Sequence, residues 1–163
     1  MMDGPPRRVY YCPMEIRFVL AWAAPTVGPK SFGSAGSHAL FTEYLRRIGR
    51  FVPSKAVPPP KTRPKTAASR IWLCDRSPGS RVLGSEDLAA ELGRALSGAV
   101  RELDIVIGGP DGFSQAERQA LAPALRWSFG PLTLPHELAA VVAAEQVYRA
   151  FCILRRLPYH AGH

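Results

Sequence analysis

"LDIVIGGPDGFS" (Leu103–Ser114) decides the fold class of this chain. The stretch predicts a strand up to Ile107, and two glycines follow it at once. Ser114 and Glu117 then have the spacing of a capping box, which indicates a short helix after the glycine turn. A strand joined to a helix by a glycine turn is typical of α/β proteins.

The rest of the chain also alternates strands with helices. "MEIRFVLAW" (Met14–Trp22) begins with alternation and becomes continuously apolar, which is typical of a buried parallel strand. The further predicted elements are a helix capped by Ser37 and ended by Gly49, a strand over Arg70–Asp75, a helix capped by Ser85, a short strand over Leu132–Leu134 and a closing helix from Pro135. This order predicts a mostly parallel sheet with flanking helices.

Two glycine turns, "VIGGPDGFS" and "FGPLTLPH", are candidate ligand contacts. Open α/β sheets bind ligands at the carboxyl ends of their strands, and glycine allows a close backbone approach. Neither turn matches GxGxxG and no P-loop lysine follows, so a plain tight turn remains the alternative. Only Arg118 and Arg126 are basic between Gly108 and Gly130, which suits an uncharged purine better than a triphosphate.

Size and composition favour one globular domain. The chain has 163 residues, of which 47% are hydrophobic and 21% charged. No apolar run is long enough for a membrane span. The three cysteines form no CxxC pair and the four histidines no HExxH motif, so we expect no metal site and reduced thiols in a cytoplasmic protein. We expect residues 1–13 to be an N-terminal extension without fixed structure and residues 14–163 to be the domain; the start codon could be Met1, Met2 or Met14.

The net charge of +8 favours a polyanionic partner, nucleic acid above all, although charge for solubility alone is the alternative. The basic residues are unevenly placed. Residues 52–69 form a proline-rich basic stretch that we expect to be a linker. The basic residues from this stretch to the following strand and turn are Lys55, Lys61, Arg63, Lys65, Arg70, Arg76 and Arg81.

The closing helix and the tail behind it carry polar residues that a core helix does not need. Glu145, Tyr148 and Arg149 interrupt an otherwise apolar surface, and Tyr159 and His160 follow in the tail. An ion pair within the helix and a disordered tail are the alternatives to a functional role.

Four segments together resemble the RlmH family: "FTEYLRRIGR", "IGGPDGFS", "LTLPHELAAVVAAEQVYRAFCI" and "PYH". These are bacterial 23S ribosomal RNA pseudouridine N3-methyltransferases of the SPOUT superfamily. The resemblance implies a compact α/β domain with a C-terminal trefoil knot, bound S-adenosylmethionine and a homodimer that shares its active site. It also implies that the substrate is the large-subunit RNA of an assembled ribosome.

The resemblance also assigns site residues. It implies cofactor contacts at Cys74, Gly108, Gly109, Phe129, Gly130, Pro131, Leu132, Thr133 and Leu134. It implies catalytic positions at His160, Arg149, Tyr159 and His136, with Glu145 among the matched polar positions. The chain departs from its relatives at Cys74, where they carry leucine, at Gly130 and Pro131, and at Ala161, where a basic residue is common.

The largest departure is a deletion. Relatives have a strand, a helix and a further strand between the first helix and "RIWLCD", where this chain has only the proline-rich stretch. We therefore expect one crossover helix to be absent, the second strand to be doubtful and apolar sheet surface to be exposed unless something covers it. Because of this deletion, the sequence does not decide whether the chain forms the trefoil knot.

Methyl transfer to N3 of a pseudouridine requires an in-line approach and loss of the imide proton. His160 is the first candidate for the base and His136 the second, while Arg149 would steady developing charge and Tyr159 would stack on the base. One alternative is a non-catalytic RNA- or ribosome-binding protein that has lost the cofactor. Another is a nucleotide-binding domain unrelated to RNA.

Overall fold

The computed structural model describes residues 14–63 and 66–161. The expected extension, residues 1–13, lies outside the described residues, as do Lys65 and His163. The elements are β1 (Glu15–Leu20), α1 (Ala35–Ile48), β2 (Ser54–Val57), β3 (Ser69–Cys74), β4 (Arg81–Val82), α2 (Ser85–Ser97), β5 (Glu102–Ile107), α3 (Gln115–Leu121), β6 (Leu125–Ser128) and α4 (His136–Leu154). Among the described residues, no helix combines the length and the hydropathy needed to cross a membrane.

One six-stranded sheet forms the centre of the fold. The strand order is β2-β1-β5-β3-β6-β4 and every pairing is parallel, so the predicted α/β class with a parallel sheet is confirmed. β5 is the inner strand between β1 and β3, and its register places Val106 beside Val19 on one side and Leu73 on the other. Because all strands run the same way, their carboxyl ends meet at one edge.

Three helices cover one face of the sheet, and α4 packs between α1 and α2. The rings of Phe18 on β1 and Phe41 on α1 meet edge to face at 5.8 Å. The rings of Phe51 and Phe151 are stacked at 4.9 Å, which fixes the end of α1 against α4. Small residues on α4 let its neighbours approach closely, and all of these are buried: Ala140, Ala143, Ala144 and Ala150.

The opposite face has a smaller apolar cluster. Val19, Leu73 and Val106 are at most 3% exposed there, and Leu121 of α3 and Val57 pack against them. The apolar surface that we expected the deletion to expose is therefore covered in this part of the sheet. Leu121 of α3 and Phe113, which precedes α3, provide the cover.

An ionic cluster lies on this second face, beside the apolar one. Asp104 on β5 is 4% exposed and accepts hydrogen bonds from Arg17 Nε at 2.7 Å and from Arg63 Nη1 at 2.7 Å. The hydrogen bond that Arg17 donates to Asp104 is the main reason that the pKa of Arg17 is raised. Arg63 belongs to the proline-rich stretch, so that stretch is tied to the sheet in the region where we expect a crossover helix to be absent.

Part of the stretch treated as a linker is a strand. Residues Ser54–Val57 form β2, which pairs with β1 in parallel and places Lys55 beside Arg17. The expectation that the second strand is doubtful was wrong. Its polar composition is tolerated because β2 is an edge strand whose residues are half-buried or exposed.

The predicted strand over Leu132–Leu134 was also wrong. The last strand is β6, four residues that end at Ser128, and residues 132–134 form part of the loop before α4. Pro131 and Pro135 flank the predicted stretch, and neither can donate a backbone hydrogen bond to a strand ladder.

Two helix caps differ from the predicted ones by one to three residues. Ser34, and not Ser37, caps α1: its hydroxyl accepts from the Ser37 amide at 3.4 Å. Gly84 occupies the cap position of α2, so Ser85 is already helical. The capping box that begins at Ser114 is confirmed.

We predict that Asp104→Asn lowers the free energy of unfolding by about 2–4 kcal/mol, because two partly buried arginines lose their shared carboxylate. Lys55→Ala, which breaks the more exposed pair with Glu15, should cost less than about 1 kcal/mol. The difference is measured by urea unfolding of both variants in buffer without added salt. Equal unfolding midpoints for the two variants would contradict the proposed contribution of the Asp104 cluster to stability.

Candidate active site

A cleft of about 390 Å³ opens at the carboxyl ends of β3, β5 and β6. Its volume is in the range of small-molecule sites. Three segments surround it: the turn after β3 (Asp75–Ser77), the glycine turn after β5 (Gly108–Phe113) and the loop between β6 and α4. Both glycine turns singled out in the sequence therefore line the same cleft.

Most of the predicted cofactor residues line this cleft. Those that line it are Cys74, Gly108, Gly109, Phe129, Leu132, Thr133 and Leu134. Gly130 and Pro131 belong to the same loop but are not part of the lining. Gly130 has φ +102°, a conformation that favours glycine, so its role is to turn the loop.

Gly108 is fixed by a close contact. A Cβ atom at this position would lie 3.0 Å from the ring of Phe113 and 3.3 Å from the Cα atom of Gly112. The turn therefore closes on itself, and any side chain at residue 108 would push Phe113 away from the cleft. This packing keeps the backbone at the end of β5 accessible to a ligand.

The cleft floor is apolar and neutral. Cys74 is half-buried, and burial, followed by the charge of Asp75, raises the pKa of its thiol. The thiol therefore stays protonated and acts as a small apolar group. Trp127 and Phe129 meet edge to face at 4.7 Å beside it.

A partly buried ion pair forms one wall, and the sequence analysis missed it. Arg118 Nε donates to Asp75 Oδ2 at 2.7 Å, and the Ser77 hydroxyl donates to the same oxygen. Burial opposes ionisation of Asp75, but these hydrogen bonds outweigh it and lower its pKa. Next to this pair, Arg76 Nη1 donates to Thr133 Oγ1 at 2.8 Å and connects two of the cleft's loops.

His136 is the predicted catalytic residue that lines the cleft. It is the first residue of α4, and its ring meets that of Trp22 at 4.5 Å. Trp22 is itself held by a hydrogen bond from its Nε1 to the Ser31 carbonyl at 2.8 Å. The imidazole thus has a fixed position between α4 and the loop after β1.

The other three predicted catalytic residues form a separate tail cluster: Arg149, Tyr159 and His160. Glu145 Oε1 accepts from Arg149 Nη2 at 2.6 Å and from the Tyr159 hydroxyl at 3.0 Å. Burial and a hydrogen bond with Tyr44 are the largest causes of the raised pKa of Tyr159, which keeps the phenol protonated. Residues 158–161 are ordered by these contacts, so the disordered-tail alternative is wrong for the described part of the tail.

Both ring nitrogens of His160 are engaged. Arg149 Nη1 lies 3.2 Å from Nδ1, and Glu86 Oε1 lies 2.8 Å from Nε2. A guanidinium can only donate, so Nδ1 must accept and the proton of a neutral ring must sit on Nε2. In this arrangement His160 has no lone pair available for a proton, and it does not line the cleft of its own chain.

These features match a known class of enzymes. A family profile described as "Predicted SPOUT methyltransferase" matches residues 64–160, so the chain is a SPOUT methyltransferase.

Proteins named ribosomal RNA large subunit methyltransferase H are also similar to it. The one from Koribacter versatilis is 38% identical over 129 residues, covering 74% of this chain and 86% of that protein. The one from Ectopseudomonas mendocina is 35% identical over 136 residues, with 72% and 86% covered. The one from Magnetococcus marinus is 42% identical over 92 residues, with 56% and 55% covered. The chain belongs to the ribosomal RNA large subunit methyltransferase H family, RlmH.

A Legionella pneumophila protein solved in complex with S-adenosylmethionine shares 15% identity at a TM-score of 0.41, over 85% of this chain and 67% of that one. This likeness is too distant to inform the site.

We predict that Glu145→Gln loosens the tail, because the carboxylate that holds Arg149 and Tyr159 is lost. The two bonds to a charged group are worth about 1–2 kcal/mol, which corresponds to roughly 5- to 30-fold faster amide exchange. Hydrogen–deuterium exchange at Leu157 and Ala161, whose amides donate to the carbonyls of Cys152 and Pro158, measures this. Glu117→Gln on α3, far from the tail, is the control; unchanged exchange in Glu145→Gln would refute the tether.

Proposed function

We propose that this methyltransferase uses S-adenosylmethionine to methylate N3 of a pseudouridine in 23S ribosomal RNA. The observation that carries the proposal is the convergence of both glycine turns on one open cleft at the strand ends. The name shared by the relatives supports ribosomal RNA as the substrate class. A ribosomal substrate supports a cytoplasmic location for the protein.

The cleft suits an adenosyl group. Its glycine turns offer backbone donors and acceptors, and its floor at Cys74, Trp127 and Phe129 offers apolar contact to a ring. Gly108 has no Cβ atom, and a Cβ atom at this position would crowd Phe113 in the cleft lining. When bound, S-adenosylmethionine supplies a methyl group already activated by its sulfonium. Gly108, Phe129 and residues 132–134 are the groups that would hold it.

The internal deletion does not argue for loss of the cofactor. The proline-rich stretch and α3 cover the sheet face that the deletion affects, and the cleft lies at the strand ends with its loops intact. A non-catalytic RNA-binding protein is therefore the weaker candidate. Failure to bind S-adenosylmethionine is the result that would favour it.

We propose further that the active site is completed in a homodimer. Within one chain, His136 lines the cleft while Arg149, Tyr159 and His160 lie in the tail cluster. A second copy could bring its own tail to this cleft. Leu132 at the cleft and Leu138 on α4 are 70% and 43% exposed, and a partner would cover such apolar groups.

The chain must remove the imide proton of the target base. His136 is the nearer candidate, because its imidazole is held at the cleft by Trp22. His160 could take the proton only after its Nδ1 leaves Arg149 or its ring changes tautomer. Tyr159, stacked against Arg149 at 4.9 Å, offers an aromatic surface beside the same imidazole.

We predict that Gly108→Ala weakens S-adenosylmethionine binding at least about tenfold, since the new Cβ atom would displace Phe113 from its place in the cleft lining. Isothermal titration calorimetry measures the dissociation constant. Gly28→Ala is the control, because nothing lies within 4 Å of a Cβ atom at that position. Wild-type affinity in Gly108→Ala would show that the cofactor does not use this turn, and no heat from the wild type at millimolar ligand would remove the enzyme proposal.

We predict that His136→Ala lowers methyl transfer to ribosomes that lack this mark by about 10²- to 10⁴-fold, the usual contribution of a general base. Incorporation of labelled methyl is measured for the wild type, His136→Ala and His160→Ala in parallel. If His160→Ala alone loses activity, the tail imidazole is the base. Equal label in all three would remove both assignments, and no label in any would remove the function.

A further inference from the structure

The basic residues between Lys55 and Arg81 differ in how far their charge is compensated. Three of them are paired with a carboxylate of the chain: Lys55 with Glu15 at 2.7 Å, Arg63 with Asp104 at 2.7 Å and Arg81 with Glu91 at 2.9 Å. The expected attraction of RNA by the whole basic stretch is therefore weaker than its composition indicates. The charge most available to an external anion belongs to basic residues that have no carboxylate partner.

An open groove of about 680 Å³ adjoins the cleft. The residues that line this arginine groove are Ser77, Pro78, Gln115, Arg118, Gln119, Ala122, Pro123 and Arg126. Ser77 and Arg118 line both the groove and the cleft, so the two are contiguous. A polymer that places one unit in the cleft can continue into the groove.

Arg126 is held in this groove by neutral partners alone. Its Nη2 donates to the Pro78 carbonyl at 2.9 Å and its Nη1 to the Ser77 hydroxyl at 3.3 Å. Gly79, at φ +89°, leaves room for the guanidinium, which a Cβ atom there would displace. Arg126 forms no salt bridge with a carboxylate of the described chain, so its positive charge is fixed in place and uncompensated.

Arg76 is a second uncompensated cation on the same turn. It is exposed, and its described bond is to the neutral hydroxyl of Thr133. Two carboxylates in this region are otherwise engaged: Asp75 binds Arg118, and Glu117 accepts from the Ser114 amide. Asp111 also lines the cleft, and it forms no salt bridge with Arg76. Arg76 and Arg126 thus flank the Asp75–Gly79 turn, one at the cleft and the other in the groove.

We infer that Arg76 and Arg126 bind backbone phosphates of the RNA strand on either side of the target nucleotide, and that the arginine groove guides this strand away from the cleft. This inference rests on the proposed function. A planar guanidinium presents two parallel donors that match a phosphate, and a preplaced one loses little freedom on binding. Gln115 and Gln119, one turn apart on α3, add amide donors along the groove without adding negative charge.

The test uses Arg76→Gln, Arg126→Gln and Arg126→Lys, with Arg101→Gln as the control. Arg101 is exposed and precedes β5, at the sheet edge opposite the cleft, so the control removes the same charge from a distant place. Two quantities are measured over a range of salt concentrations: co-sedimentation with large ribosomal subunits, and kcat and KM for methyl transfer to them. Titration with S-adenosylmethionine checks the cleft itself.

Arg76→Gln and Arg126→Gln should each raise KM for the subunits about three- to tenfold and reduce the slope of log affinity against log salt by about 0.7–0.9. In Arg126→Gln, kcat and cofactor affinity should stay within about twofold, and Arg126→Lys should keep most of the slope. Arg101→Gln should match the wild type.

Two results would overturn the inference and leave the function standing. One is a wild-type salt slope in both glutamine variants while the wild type binds subunits and methylates them. The other is a loss of cofactor affinity in both Arg126→Gln and Arg126→Lys, which would mean that Arg126 only braces the turn. If the wild type neither binds nor methylates the subunits, the proposed function fails and this inference fails with it.

Discussion

The parallel register of β1, β5 and β3 is the constraint on which the rest of the molecule depends. It sets Val19, Val106 and Leu73 side by side and buries all three. Because the strands run the same way, the turns that follow β3, β5 and β6 emerge at one edge. The cleft is the space between those turns, so its position follows from strand direction, and its shape follows from how tightly Gly108 lets the central turn close.

The same register explains how the fold survives a missing helix. It brings Arg17 on β1 next to Asp104 on β5, on the face where cover is reduced. An isolated buried carboxylate would be costly, but Asp104 has two arginines, and Arg63 reaches it from the proline-rich stretch. One ionic contact therefore fastens a segment that cannot form a helix, and α3 completes the layer beside it.

Sequence patterns predicted the features that rest on local chemistry. Apolar runs predicted the inner strands β1, β3 and β5, the capping box predicted α3, and the two glycine turns predicted the cleft, whereas the inner strand β6 was missed. The edge strands were not predicted, because β2 is polar and β4 has only two residues. The Asp75–Arg118 wall joins residues 43 apart, and nothing local to either residue indicates the pair. The contacts of the tail residues could not be predicted either, because they depend on how α2, α4 and residues 158–161 pack together.

In the tail cluster, one contact of His160 can be exchanged while another is kept. Arg149 and Glu145 are 16% and 17% exposed at their side chains, so their ion pair is well shielded and keeps the tail in place. Glu86, which binds the other side of His160, is 71% exposed, and an ion pair with so exposed a carboxylate contributes little. A substrate group or a partner chain can therefore displace Glu86 from Nε2 at small cost, while Arg149 keeps Nδ1. The imidazole would then present a hydrogen-bond donor at Nε2, which fits a role in orienting the target base better than a role in removing its proton.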